Sequence, residues 1–382
     1  MGEMREKDDG EGMSGTREEL TGVPGLARLV VVDRTGSTND DLRSALTGVD
    51  GRLDLRAAAA WPHISALWAR RQDAGRGRAG RRWITPPGSA LTVSFVLRPL
   101  VPAAALAWLP LLAGLAARDV VDAILISARA PWRARTKWPN DVVLVPNERA
   151  GEGIAAGAST GEGTGGGAGD AAVPVPAEIP GWGRARKVAG VLAELIPTAG
   201  GIGARTSAGT TGTADASGAV AAGAADAPGA VGAAGAPGGG GAGGAVGADR
   251  GAACAVVLGI GVNTGQSESE LPVPWATSLR LAGARVEPRA LLEPLSARLD
   301  ELVTAWEAGE GDPDAGDGAL GAALRRACTT LGRRVRVDAP GGVLRGTAVD
   351  IAPGLVLRGA DGTMRTVDAG DVSHVRTDGA VD

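Results

Sequence analysis

The chain has 382 residues and a formal net charge of -4, and this balance argues against binding nucleic acid or an anionic membrane through bulk charge. Glycine contributes 62 residues and aromatic residues only 3%, so long stretches are expected to lie outside any packed core. Two cysteines are too few for a disulfide framework or a zinc cluster and suit a reducing cytosol. Because the N-terminus shows no basic segment followed by an apolar one, we expect a cytoplasmic protein.

The first predicted elements are a strand and a helix that follow an N-terminal tail. Residues 1–25 are rich in glycine and acidic side chains, and we expect them to be disordered. The apolar run Leu29–Val32 predicts a strand. The helix after it can be capped by Thr38, with Leu42 and Leu46 on its buried stripe.

A catalytic domain is predicted over residues 26–308, where strands and helices alternate. It includes the strand Leu91–Leu97 and the apolar run Val101–Ala117. The run is interrupted by Pro110 and closed by charged residues, whereas a membrane span needs about 20 consecutive apolar residues. We therefore expect a buried helix there and no membrane association.

Two insertions interrupt this domain. Residues 146–186 and 197–252 are dominated by Gly, Ala, Ser, Thr and Pro without a helical or strand period, so both are predicted to be disordered surface loops. Between them lies the ordered island Lys187–Ile196, and after them the strand Ala255–Val262. One domain can accommodate both loops, because the entropic cost of loop closure grows slowly with length.

The C-terminal third predicts two helices and a small all-β region. Residues 309–318 form an acidic linker, residues 319–331 a connecting helix, and residues 332–378 short strands with a hairpin signal at Gly341-Gly342. The expected fold class is α+β, with a mixed sheet flanked by helices and a small C-terminal antiparallel barrel. The first of the two helices is indicated by helical spacing of Leu292, Leu295, Leu299, Leu302, Val303 and Trp306.

The segment Gln72–Trp83, which reads QDAGRGRAGRRW, contains three glycines in GxGxxG spacing. A dinucleotide-binding fingerprint would need a helix after the glycines and an acidic residue about 20 positions later. Here Pro86 breaks any helix, and no Asp or Glu occurs between Gly80 and Asp119, so that fold is excluded.

What remains is a flexible glycine loop that carries four arginines. Guanidinium groups bind phosphate or carboxylate oxygens in pairs, and glycines let the backbone approach a ligand closely. An RNA-binding Arg-Gly segment is the alternative, although the negative net charge and scarce aromatic residues count against it. The four side chains are Arg76, Arg78, Arg81 and Arg82.

Lysine usage points to two further positions. The only lysines are Lys7, Lys137 and Lys187, and the last two stand in Arg-rich surroundings, which favours a need for an ammonium there. The alternative is that they occur by chance or lie on the solvated surface. Asn140 and Asp141 follow Lys137 at the entrance of a predicted strand. A carboxylate there can hold Mg²⁺ or orient an attacking amine, and the alternative is that it caps a turn.

Six motifs, taken in order, resemble those of the biotin protein ligases. They are GSTNDDL (Gly36–Leu42), the Gln72–Trp83 loop, LTVSFVLRP (Leu91–Pro99), KWPND (Lys137–Asp141), KVAGVLAEL (Lys187–Leu195) and GIGVN (Gly259–Asn263). The resemblance covers the ordered catalytic region, and the terminal barrel looks like the small SH3-like C-terminal domain of that family. His63 and His374 match no family motif and are expected to be structural.

The resemblance also implies roles for individual residues. It implies a biotin site lined by Ser37, Thr38, Asn39, Gln72, Gly75, Arg76, Gly77, Arg78, Lys187 and Gly190. It implies nucleotide contacts from Arg78, Arg81, Trp83, Lys137, Asn140 and Asn263. Lys187, Arg76, Arg78 and Asp141 are the implied catalytic residues, with Asp141 also the candidate Mg²⁺ ligand.

The implied reaction uses ATP, biotin and Mg²⁺ to form biotinoyl-5'-AMP and to modify a lysine of a biotin carboxyl carrier protein or domain of acetyl-CoA or acyl-CoA carboxylase. A lipoate or octanoate ligase or transferase of similar fold is the nearest rival. The helix-turn-helix of some family members is missing, so DNA binding is not expected. The first insertion separates KWPND from KVAGVL, which normally lie close together, and Lys187 reaches the site only if adjacent strands anchor the loop.

Overall fold

The structure, a computed structural model, describes residues 13–83, 85–147, 176–198 and 254–374, and these residues form two main sheets and five α-helices. Ten strands precede the C-terminal region: β1 (Met13–Leu20), β2 (Arg28–Thr35), β3 (Ser65–Gln72), β4 (Gly75–Arg76), β5 (Arg82–Trp83), β6 (Ala90–Leu97), β7 (Trp132–Lys137), β8 (Asp141–Pro146), β9 (Arg186–Pro197) and β10 (Cys254–Asn263). Strands β4 and β5 form a short ribbon, and the other eight form one sheet in the order β1-β2-β3-β6-β10-β9-β8-β7.

The eight-stranded sheet is mixed, as expected, because β2 and β3 pair in parallel while its other neighbours are antiparallel. Helices α1 (Thr38–Leu46) and α2 (Leu55–Ala59) connect this parallel pair. Successive side chains of β2 point to opposite faces. Leu29 and Val31 accordingly join the apolar cluster on one face, and Val30 and Val32 join the cluster on the other.

The long helix α3 (Leu109–Ser127) covers one face of the sheet and α1 packs on the other. Every residue of the central strand β6 is therefore buried. The helix begins later than the apolar run Val101–Ala117 suggests, because Ala103–Trp108 form a 3₁₀ helix before it. Pro110 lies in the first turn of α3, where proline costs no helical hydrogen bond. No helix in the described part of the chain is long and apolar enough to cross a membrane.

Two expectations at the N-terminus were wrong. Residues 13–20 are not disordered, because β1 pairs antiparallel with β2 along the sheet edge, and only residues 1–12 of the expected tail lie outside the described residues. The N-cap of α1 is Ser37, not Thr38: the Ser37 hydroxyl accepts a hydrogen bond from the Asp40 amide at 3.4 Å. Thr38 is the first residue of the helix and is buried. Because its hydroxyl does not cap the helix, it is available to another partner.

Both insertions join strands that are neighbours in the sheet. β8 pairs antiparallel with β9, and β9 with β10, where Pro197 faces Cys254. The expected disorder of residues 146–186 and 197–252 was too broad, because residues 176–186 form described turns leading into β9, and Pro197 ends that strand. The remaining parts, 148–175 and 199–252, lie outside the described residues.

The C-terminal region packs against the large sheet through α4 (Leu292–Ala308) and α5 (Ala319–Ala327). The connecting helix was expected to reach residue 331, but Cys328 is extended and the Thr329 amide donates to the Thr136 carbonyl oxygen of β7 at 2.8 Å. Five strands follow in an antiparallel sheet of order β14-β13-β12-β11-β15. They are β11 (Arg334–Ala339), β12 (Gly342–Ala352), β13 (Gly354–Arg358), β14 (Met364–Val367) and β15 (Asp371–His374).

Candidate functional site

A cavity of about 570 Å³ lies between the large sheet, the glycine loop and β15. Of the predicted site residues, Gly75 is the one that does not line this cavity. Gly75 is buried beneath Gln72, where an added Cβ would approach the Gln72 amide nitrogen within 2.2 Å. The predicted residues that line the cavity are Ser37, Thr38, Asn39, Gln72, Arg76, Gly77, Arg78, Arg81, Trp83, Lys137, Asn140, Asp141, Lys187, Gly190 and Asn263.

One end of the cavity is formed by neutral polar side chains, and we call Ser37, Thr38, Asn39 and Gln72 the polar end. Thr38 donates to the Gln72 side-chain oxygen through its amide at 3.0 Å and through its hydroxyl at 3.2 Å. The four residues are at most 8% exposed. Because each hydrogen bond is made away from bulk water, the geometry of this end is set before any ligand arrives.

Two residues that were not predicted as site residues, Ser94 and Glu194, lie behind the polar end and bond to it. Ser94 of β6 donates to the Asn39 side-chain oxygen at 2.6 Å and lies 2.7 Å from the Thr38 hydroxyl. Glu194 of β9 accepts a 2.8 Å hydrogen bond from the Asn39 amide nitrogen. Both residues occur inside motifs of the sequence, but only the pairing of β6, β10 and β9 brings them behind α1.

Glycines form the floor of the cavity. An added Cβ on Gly259 would lie 2.3 Å from the Asn39 side-chain oxygen, and one on Gly261 would lie 2.5 Å from the Trp83 indole. Gly190 faces Gly261 across β9 and β10, and its added Cβ would also contact Trp83 at 3.2 Å. The indole of Trp83 therefore rests on two facing glycines, beside the polar end.

The indole nitrogen of Trp83 is buried without a hydrogen-bond partner among the described residues. The Lys187 ammonium lies 5.6 Å from its ring centroid. Trp83 thus stands between the polar end and a second group of side chains, which we call the charged end and which comprises Arg78, Arg81, Lys137, Asp141 and Lys187.

An ion pair lies at the centre of the charged end. Lys187 Nζ is 2.6 Å from Asp141 Oδ1, and both side chains are largely buried. The pairing of β8 with β9 shows that the first insertion does not displace Lys187, because Asp141 and Gly190 are register partners. Asn140 braces this corner by donating to the Val191 carbonyl oxygen at 2.6 Å.

Lys137 is the other ammonium in the cavity, and it is 5% exposed. The pKa of its ammonium is lowered to about 8, mainly by burial and to a smaller extent by the nearby Lys187 and Arg81, while Asp141 and Asp371 oppose the shift. This ammonium contacts a tryptophan ring, since Lys137 Nζ lies 3.6 Å from the Trp182 ring centroid.

The arginines of the glycine loop do not all face the same way. The Arg76 guanidinium pairs with Asp40 and approaches Glu194 at 3.8 Å, beside the polar end. Arg78 is half-buried, and burial lowers the pKa of its guanidinium. The loop itself is a tight hairpin and not an open segment, since the Gly77 amide donates to the Arg81 carbonyl oxygen at 2.6 Å.

Arg81 binds the C-terminal sheet. Its guanidinium makes two hydrogen bonds to the Asp371 carboxylate of β15, at 2.7 and 3.0 Å. Asn263 also has partners within the protein: its amide nitrogen donates to the Thr277 carbonyl oxygen, and its amide oxygen accepts from Gln266, both at 2.9 Å. A nucleotide would have to exchange these contacts for its own.

Three prominent lining residues were not predicted from the sequence: Trp182, Trp275 and Asp371. Trp182 was placed inside a disordered insertion, and Trp275 lies in no motif. A tryptophan in a Gly- and Ala-rich segment of a chain with one Phe and no Tyr is a compositional break, and this signal could have identified Trp182. Asp371 is far away in sequence, and its role follows only from the docking of β15.

The charged end offers limited ligands for a metal ion. Among the described residues, no three His, Cys, Asp or Glu side chains group closely enough to hold a metal by themselves. Mg²⁺ is usually held by one or two carboxylates together with substrate phosphates and water. Asp141 therefore fits a cation that is shared with phosphate oxygens.

Two family models match the chain. The Biotin/lipoate A/B protein ligase family matches residues 53–204, which include β3 to β9, and the Biotin protein ligase C terminal domain matches residues 330–375, which include β11 to β15. The first match thus covers five of the eight strands of the large sheet, and the second covers the whole C-terminal sheet.

Individual proteins are similar as well. The biotin–(acetyl-CoA-carboxylase) ligase of Mycobacterium tuberculosis is 28% identical over 94% of both chains. The ligase of the same name from Paracoccus denitrificans is 38% identical over 31% of this chain and 42% of that protein. A structure of the biotin protein ligase of Aquifex aeolicus in complex with biotin and ATP shares the fold, with 19% identity, a TM-score of 0.50, and coverage of 91% of this chain and 99% of that chain. This chain belongs to the biotin protein ligase family.

Proposed function

We propose that the chain is an ATP-dependent biotin ligase, which activates biotin as biotinoyl-5'-AMP and transfers it to a lysine of a carrier protein. One observation carries this conclusion: a single cavity joins a preformed network of neutral hydrogen-bonding groups to the Lys187–Asp141 pair. The similarity to the M. tuberculosis ligase over 94% of both chains supports the same reaction.

The two ends of the cavity suit the two parts of the acid. The fused ring of biotin is neutral and carries a ureido group that both donates and accepts hydrogen bonds, as Ser37, Asn39 and Gln72 do. The carboxylate of biotin is an anion, and Lys187 and Arg78 supply cations at the other end. We therefore assign the ring to the polar end and the carboxylate to the charged end.

In the first step, a carboxylate oxygen of biotin attacks the α-phosphorus of ATP. The bond from that phosphorus to the bridging oxygen breaks, and diphosphate leaves with the electron pair. The attacking and attacked groups are both negative, so cations must neutralise their oxygens as they approach. Lys187, Arg78 and Arg81 are assigned this role, and Arg81 must first leave Asp371.

We also propose that Mg²⁺ takes part, held by Asp141 and by phosphate oxygens, where it would neutralise charge on the leaving diphosphate. Lys187 and Asp141 form a pair in the structure, so a cation at Asp141 would free the ammonium for the acid and the phosphate. The adenine ring is assigned to the region beside Trp83 and Asn263.

In the second step, a lysine of the carrier attacks the acyl carbon, and AMP leaves with the electrons of the broken bond. A free lysine has a pKa near 10.4, so it must lose a proton before it attacks. Asp141 is assigned to accept or orient that proton. The acceptor is proposed to be a biotin carboxyl carrier domain of acetyl-CoA or acyl-CoA carboxylase, encountered in the cytoplasm, where the buried free thiols of Cys254 and Cys328 are stable.

Exchange of radiolabelled diphosphate into ATP tests the first step. Purified protein with Mg²⁺ is assayed with biotin, lipoate or octanoate, because the matched family also includes lipoate ligases. We expect exchange with biotin and a peak of biotinoyl-AMP in mass spectra. Exchange with lipoate or octanoate alone would overturn the assignment. Adding a carrier domain should then release AMP and add one biotinoyl group to its lysine.

A further inference from the structure

The turn that precedes β9 carries a tryptophan into the cavity. Ile179 and Gly183 exchange two backbone hydrogen bonds of 2.8 Å, and the Trp182 amide donates to the Ile179 carbonyl oxygen at 2.9 Å. Gly181 and Gly183 have φ angles of 76° and 55°, which a side chain would disfavour. The turn is therefore built to hold one large side chain, Trp182, at the cavity wall.

Trp182 is supported on one side by Trp275. Their ring centroids are 5.8 Å apart with an interplanar angle of 12°, which is a stacked pair. The backbone fixes the second ring as well, because the Lys187 amide donates to the Trp275 carbonyl oxygen at 2.7 Å and the Thr277 amide donates to the Lys187 carbonyl oxygen at 2.8 Å. Both tryptophans are thus anchored at the start of β9.

Trp182 also meets the ammonium of Lys137 at 3.6 Å. In the described part of the chain, no carboxylate lies within ion-pairing distance of that ammonium, whereas Lys187 has Asp141 at 2.6 Å. The face of an indole attracts a cation through its quadrupole, most strongly where water is excluded. Asp141, Asp371, Lys187 and Arg81 face the same space from β8, β15, β9 and the glycine loop.

We propose that Trp182 is a positioning residue, whose indole, backed by Trp275, holds the Lys137 ammonium at the cavity wall in the orientation that meets the phosphates of ATP. Among the described residues, Lys137 therefore has an aromatic partner and no carboxylate partner, beside the two ion pairs Lys187–Asp141 and Arg81–Asp371. The turn from Ile179 to Gly183, at the end of the first insertion, is thus part of the site. The kinetic part of this inference rests on the proposed ligase function.

Diphosphate exchange by four variants tests the kinetic part. Trp182→Leu should raise the KM for ATP about tenfold, the scale of a desolvated cation–π contact, and leave the KM for biotin within about twofold. Trp182→Phe keeps an aromatic face and should recover most of the loss. Lys137→Met should raise the KM for ATP, and adding Trp182→Leu to it should change little, because the interaction is already lost. Fully additive effects would refute the positioning role.

Trp132→Leu is the matched control, since Trp132 is half-buried at the other end of β7 and lies outside the cavity. It should leave the KM for ATP near the wild-type value. A rise equal to that of Trp182→Leu would show that the loss of any large ring on this side of the sheet suffices, and would overturn the proposal.

Lysine acetylation provides a readout that does not depend on the enzyme's reaction. The chain has only three lysines, so peptide mass spectrometry can follow Lys137 while Lys187 serves as the internal reference. Trp182→Leu should speed acetylation of Lys137 several-fold and leave Lys187 unchanged. Equal rates at Lys137 in both proteins would overturn the proposal. If wild-type protein forms no adenylate, the proposed function fails, while the acetylation rates still decide the Trp182–Lys137 contact.

Discussion

The polar end and the charged end of the cavity hold their side chains by different means. At the polar end, Thr38, Asn39 and Gln72 are at most 8% exposed and bond to one another or to side chains directly behind them. At the charged end, Arg81 and Asp371 remain 59% and 51% exposed and join the glycine loop to a different sheet. The first end is rigid before a ligand arrives, whereas the second contains two ion pairs, Arg81–Asp371 and Lys187–Asp141, that a charged ligand must separate.

This difference predicts different consequences of mutation. Changes at the polar end should weaken binding of the acid and cost stability, because they leave buried polar groups without partners. Changes at the charged end should mainly reduce the rate of adenylate formation. The exposed Arg81–Asp371 pair contributes little to folding, whereas removing one partner of the largely buried Lys187–Asp141 pair would also cost stability.

The largest effect is expected for Lys187→Arg. A guanidinium fork cannot occupy the space of an ammonium between Asp141, Trp83 and Gly190. Loss of one well-placed charge donor typically lowers kcat by about 100-fold or more. Diphosphate exchange should fall by that amount in a variant that still shows the wild-type circular dichroism spectrum. Arg365→Lys, on the exposed side of β14, is the control for a substitution that conserves charge. Wild-type rates of diphosphate exchange in Lys187→Arg would show that Lys187 has no role in the mechanism.

The next largest effect is expected for Gly261→Ala, which tests the floor between the two ends. The added methyl group would lie 2.5 Å from the Trp83 indole, so the ring must move. Overpacking of this kind costs about 1–3 kcal/mol, or roughly ten- to hundredfold in exchange rate if the cost falls on the bound state. Gly265→Ala is the matched control, because its added methyl would meet its nearest neighbour at an ordinary 3.5 Å. Equal activity of both variants would contradict the glycine floor.

A smaller and more selective effect is expected for Thr38→Val at the polar end. The substitution removes the hydroxyl that bonds to Gln72 and lies 2.7 Å from Ser94. The buried partners lose about 1–2 kcal/mol, so the KM for biotin should rise roughly tenfold and the free energy of unfolding should fall by a similar amount. The KM for ATP should stay near its wild-type value. Thr304→Val, on the exposed face of α4, is the control for this change of side chain. If Thr38→Val raised the KM values for biotin and for ATP equally, the proposed distinction between the two ends would be wrong.

The smallest effect is expected from replacing residues 199–252 with Asn-Gly. Pro197 and Cys254 face each other across β9 and β10, so a two-residue turn after Thr198 can close the hairpin. Pro197 must be kept, because its carbonyl oxygen accepts a hydrogen bond from Leu53 at 2.9 Å. Exchange should remain within about twofold of wild type at equal soluble yield. A large loss of activity in a folded product would assign the segment a role at the site.

Much of the fold followed from local sequence patterns. The apolar stripe of Leu42 and Leu46 placed α1, and the run Leu91–Leu97 placed the central strand β6, since burial demands apolar side chains at these spacings. The N-terminal strand β1 was missed because its sequence, MSGTREEL, is polar, and its order comes from pairing along an edge of the sheet. Strands pair through backbone hydrogen bonds, and the amino-acid composition of a segment gives no information about these bonds.

The sequence by itself determined which residue types stand at the site, because ammonium, guanidinium and amide groups at fixed spacings in six motifs have few other uses. Only the tertiary structure decided their partners: Arg81 with Asp371, Asn39 with Ser94 and Glu194, and Lys137 with Trp182. These contacts join segments up to 290 residues apart. Their energies depend on distance and burial in the folded chain, and neither quantity is encoded locally.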